Sequence, residues 1–124
     1  MDRTIVHFEI PANDPAKLSD FYSKLFGWKF EKLSMPGPGD YWMIHTKAKD
    51  EDMGINGGMM KKMDPNQRPV NYVLVESVDD FSKKVQQLGG RIIVPKTEVP
   101  KMGQFAMALD PEGNLIGLWE STEE

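Results

Sequence analysis

Cysteine is absent from the 124 residues. That absence removes thiol nucleophiles, cysteine-ligated zinc, disulfides and thiol redox chemistry. Serine is scarce, and no G-x-S-x-G nucleophile elbow occurs. Long apolar runs are missing too, and Met1 to Thr4 lacks the apolar segment of a signal peptide, so neither a membrane span nor a leader is expected. An excess of positive charge is also lacking: 15 Lys and Arg stand against 19 Asp and Glu, for a net charge of −4 and a pI near 5.2. Without a basic stripe, a phosphate backbone is not an expected partner. The composition predicts a soluble cytoplasmic protein with no nucleic-acid or membrane partner. A hydrophobic content of 40% is enough for the core of a single domain without staples.

What is present is an internal repeat. Val6, Phe8 and Ile10 alternate with His7 and Glu9, as in a half-buried strand. A helix near residues 14–26 follows. Asn13 or Asp14 caps it, Pro15 suits its first turn, Leu18, Phe21, Tyr22, Leu25 and Phe26 recur at helical spacing, and Gly27 ends it. Strands are expected at Trp28 to Leu33, Tyr41 to Thr46 and around Ile55 to Met60. The second half repeats this order: a strand at Tyr72 to Val75, a helix near 78–88 ending at Gly89-Gly90, then strands at Arg91 to Val94, Gln104 to Leu109 and Leu115 to Trp119. Asp110 to Asn114 is a turn. The prediction is an α+β fold of two tandem βαβββ modules in one domain, residues 1–63 and 69–124, joined by a polar linker over 61–69 with two prolines.

One helix covers only one face of a four-stranded sheet, so each module leaves a face for the other, and the pair is expected to form an eight-stranded half-barrel around a cleft. Alternation against Val6, Phe8 and Ile10 points His7 and Glu9 into that cleft, where they are the candidate acid–base pair. Correspondence between the modules adds Trp42, Asn56, Asn71, Tyr72 and Met107 to its lining. The loops Met35 to Asp40 and Pro95 to Gly103 are candidate rims or lids. Gly57, Gly58 and Gly117 mark either close approach by a ligand or bends in a curved sheet.

The segments His7-Phe8-Glu9-Ile10, Asp14, Phe21-Tyr22, Leu25-Phe26-Gly27-Trp28 and Asp110-Pro111-Glu112-Gly113-Asn114 together resemble the vicinal oxygen chelate superfamily. That group includes glyoxalase I, extradiol dioxygenases and the bleomycin and fosfomycin resistance proteins. The resemblance implies that metal-dependent members hold a divalent cation with His and Glu side chains from the first and last strands of each module. His7 matches the first of these positions. The two glutamate positions fall on Gly58 and Gly117, and the second histidine position falls between Asn71 and Val73, so three of four ligands are missing. Glu120 could substitute only through a β-bulge, because it lies three residues past Gly117. His45 matches no ligand position. The parity of Gly117 adds Trp119 to the cleft.

Two readings follow. The first is a metal-free, cofactor-free module that binds a small organic molecule as the bleomycin-resistance branch does; the second is a metal-dependent lyase or isomerase of the glyoxalase type, leaving enzymatic activity open. The resemblance and the open sheet edges also imply a homodimer.

Overall fold

The structure, a computed structural model, describes residues 3–33 and 40–122. It contains two compact units: residues 7–69 form one, and the chain from residue 70, joined by residues 3–6, forms the other. The fold is α+β, two modules each with the order βαβββ.

Module one runs β1(Ile5–Ala12), α1(Pro15–Phe26), β2(Lys29–Leu33), β3(Tyr41–His45) and β4(Gly57–Lys61). Its strand order is β2-β3-β4-β1, with β1 and β4 parallel and the other pairs antiparallel. Asp14 settles the choice of cap: its side chain accepts from the Lys17 N–H at 3.1 Å. Gly27 ends α1 in the left-handed region at φ 78°, its N–H bonding Ser23 O at 2.8 Å. On the helix side of the sheet Ala12, Ile44 and Met59 are buried, with Phe8, Ile10, Leu18, Trp28, Phe30 and Trp42 packed against them.

Module two runs β5(Val70–Leu74), α2(Val78–Gln87), β6(Arg91–Val99), β7(Gly103–Leu109) and β8(Leu115–Ser121). Its order is β5-β8-β7-β6, with β5 and β8 parallel. Val75, Val78, Ala106 and Leu118 are buried between sheet and helix, with Val73, Phe81 and Val85 against them. Residues 3–6 are tied to this unit. The Leu74 N–H donates to Thr4 O at 2.9 Å, and the Arg3 guanidinium forms a two-pronged pair with Glu76 at 2.7 and 3.2 Å.

One expectation changes. The segment expected as a loop from Pro95 to Gly103 is largely strand, because β6 continues to Val99 through register shifts between Ile92 and Thr97. Pro95 is tolerated there because β6 is the outer strand of its module and the ladder is interrupted at that point. Within the 61–69 linker Asp64 accepts from the Asn66 and Gln67 N–H groups, and Gln67 accepts from the Met63 N–H at 2.8 Å. The Met35 to Asp40 loop lies outside the described residues except for Asp40. Among the described residues no helix is long and apolar enough to cross a membrane.

Candidate functional site

On module one, strand parity places His7 and Glu9 of β1, Tyr41 and Met43 of β3, and Gly58 of β4 on the face opposite the helix. The pairs Glu9 with Gly58 and Met43 with Gly58 align them. Three of these side chains form one chain of hydrogen bonds. His7 Nε2 lies 2.8 Å from Tyr41 Oη, and Tyr41 Oη lies 3.1 Å from Glu9 Oε2. A phenol has one proton; since Tyr41 donates it to the Glu9 carboxylate, His7 Nε2–H donates to the phenol oxygen, which fixes the imidazole tautomer. Burial lowers the pKa of His7 below its ordinary value of 6.5, favouring the neutral ring. Burial first, and then the adjacent Glu9 charge, raise the Tyr41 pKa well above 10.0. At neutral pH the imidazole and the phenol are therefore both uncharged.

Gly58 makes room for it. A Cβ at position 58 would clash with the Tyr41 hydroxyl. The same device recurs: the Phe8 ring lies over Gly57, and the Tyr72 ring over Gly117. These glycines admit aromatic rings of the chain itself.

On module two, Tyr72, Met107 and Trp119 share the face opposite α2. Tyr72 and Met107 both pair with Gly117, and Trp119 pairs with Phe105. Tyr72 is buried and meets the Phe105 ring edge-on at 6.2 Å between centroids. The result is an aromatic, sulfur-containing surface.

Other expected lining residues lie elsewhere. Trp42, next to Tyr41 in β3, packs on the helix side with Ile44 and Met59, away from His7. A strand turns successive side chains to opposite faces, so correspondence between modules selected the wrong neighbour. Asn71 is exposed and faces away from Tyr72 for the same reason. Asn56 Oδ1 accepts from the Thr46 and Lys47 N–H groups at 2.9 and 3.1 Å, closing the neck of the 47–55 loop. Tyr41 was the residue sequence reasoning missed. Its signal was an odd parity shared with a strand neighbour opposite a glycine, legible only once the β3–β4 register is known.

The donor set does not fit the family's cation. Positions 58 and 117 are glycines covered by rings, and the β7–β8 register is regular through Glu120. Glu120 instead accepts from the Val78 N–H at 2.9 Å, capping α2 together with Ser77, whose Oγ accepts from the Asp80 N–H at 3.1 Å. His45 bonds Glu31 Oε1 at 3.0 Å. Among the described residues no group of three or more His, Asp or Glu could hold a metal ion.

Residues 4–118 match the Glyoxalase/Bleomycin resistance protein/Dioxygenase superfamily. The chain belongs to that superfamily. Its relatives include "Putative glyoxylase CFP32" of Mycobacterium tuberculosis (strain CDC 1551 / Oshkosh), 26% identical over 115 residues, which cover 91% of this chain and 44% of that protein. The anthracycline biosynthesis protein DnrV of Streptomyces peucetius is 27% identical over 127 residues, covering 90% of this chain and 45% of its own length. The chain thus spans under half the length of these relatives. Among solved structures, hypothetical protein BH1468 from Bacillus halodurans C-125 superposes with a TM-score of 0.73 at 13% identity, covering 100% of this chain and 98% of that one. Methylmalonyl-CoA epimerase from Mycobacterium tuberculosis follows at 0.69 and 13% identity, covering 95% and 87%. At such identities the superfamily fold is shared, and the chemistry of a site has to be argued from its own residues.

Proposed function

We propose that the chain is a metal-independent binding module for a small organic molecule, recognised by direct hydrogen bonds on the sheet face that α1 leaves open in module one. The observation that carries this is the His7–Tyr41–Glu9 chain: three polar side chains, pre-arranged on one face and held in one protonation pattern. Module two by itself carries the partly exposed Phe105, Met107 and Trp119, rings and a polarizable thioether that suit a flat apolar ligand. The relative named for anthracycline biosynthesis is in keeping with such a ligand, an anthracycline being a flat, oxygen-rich aromatic molecule.

A thermal-shift screen of EDTA-treated protein against oxygenated aromatic compounds, followed by calorimetry, tests the reading. The expected hit stabilises equally with and without EDTA. Stabilisation only in the presence of nickel, zinc or manganese, or near-stoichiometric metal in the untagged protein, would establish the glyoxalase-type lyase instead.

The working form is a homodimer in the cytoplasm. Helix α1 has no buried residue and exposes Phe21, Leu25 and Phe26 by 56%, 56% and 58%. Contiguous apolar surface of this kind marks an interaction site. Sedimentation at a mass near 14.1 kDa, independent of concentration, would refute the dimer.

A further inference from the structure

We propose that Tyr41 is the residue that closes module one to a cation: seated on Gly58, its phenol takes the space a side chain at that position would need, and bonds both His7 and Glu9. This deepens the metal-free reading and rests on it.

Three features of the geometry point the same way. First, the exclusion is steric. Any side chain at position 58 begins with a Cβ that would clash with the end of the Tyr41 ring, so a carboxylate at 58 requires that ring to leave its place between His7 and Glu9. Second, the exclusion is electronic. His7 Nε2 carries its proton toward Tyr41 Oη at 2.8 Å, whereas a metal ligand needs that nitrogen bare. Third, the phenol bonds the carboxylate that shares a face and a strand with His7, with Tyr41 Oη 3.1 Å from Glu9 Oε2. The residue pair at 41 and 58 is therefore one unit with two states. Tyrosine over glycine gives a hydrogen-bonded recognition element. A small residue over a glutamate would add a third donor to His7 and Glu9, enough for a divalent cation.

The test uses the full chain, dialysed against EDTA and titrated calorimetrically with zinc and nickel chloride. Wild type, Tyr41→Ala and Gly58→Glu are expected to show no saturable uptake. Tyr41→Ala combined with Gly58→Glu is expected to bind one cation at least about tenfold more tightly than any single variant, and to lose that site when His7→Gln is added. A folded double variant that gains nothing overturns the proposal, as does wild-type protein binding one cation through His7. Should the double variant fail to fold, long-range proton–nitrogen NMR spectra of wild-type His7 decide the matter. A protonated Nε2 is expected in wild type, and a bare Nε2 there overturns the proposal. These outcomes are independent of any ligand screen, so a failed screen would count against the binding function without touching the role of Tyr41.

Discussion

The hydroxyl of Tyr41 lies so close to Gly58 that a first side-chain carbon there would clash with it, so the ring keeps its place between His7 and Glu9 only over a glycine. Gly58→Ala is therefore expected to destabilise the fold by about 1–3 kcal/mol through overpacking against a ring held at both ends of its hydroxyl. In a Tyr41→Ala background the same substitution should cost much less. Urea denaturation of the four proteins measures the coupling, and equal costs in both backgrounds would show that the ring does not control the position.

The two titrating members of the chain set opposite edges of a pH window. The His7 pKa is lowered on folding, so the unfolded chain takes up a proton first and stability falls as pH drops below about 6.5. The Tyr41 pKa is raised, so the unfolded chain releases a proton first and stability falls as pH rises above about 10.0. Melting temperatures across this range are expected to show both losses in wild type. His7→Gln should flatten the acid limb and Tyr41→Phe the alkaline one; variants that retain both limbs would place the titrations elsewhere.

Glu120 caps a helix whose first residue, Val78, is fully buried. Glu120→Ala removes the acceptor for the Val78 N–H and is expected to lower stability by about 1–2 kcal/mol, with Glu120→Gln milder because an amide oxygen can still accept. Urea midpoints measure both. An unchanged midpoint for Glu120→Ala would mean that Ser77 alone suffices.

Replacing Phe21 and Leu25 by serine removes exposed apolar surface from α1 while keeping Phe26, whose ring packs 5.1 Å from that of Trp28 beside the Ile44 and Met59 core. The variant is expected to sediment as a monomer while keeping its melting temperature at low concentration within a few degrees of wild type. A dimer that survives the double substitution would move the interface away from α1.

Local chemistry made much of the fold legible in the sequence. Asp14, Pro15 and Gly27 bound α1, Gly89 follows α2, and the repeated strand–helix–strand pattern established two βαβββ modules, because caps and periodicities act within a few residues of themselves. The face of His7 and Glu9 followed from alternation in one strand, and the missing ligands at 58 and 117 were visible as glycines. What tertiary structure decided depends on which strands meet. The choice of Tyr41 over Trp42 required the β3–β4 register, since adjacent residues of a strand face opposite ways and a shift of one exchanges them. Glu120 became a cap because β8 carries it to the start of α2, 42 residues away in sequence. Pro95 sits within a strand because β6 is the outer strand of its module and bulged there, a property of the sheet that no neighbouring residue encodes.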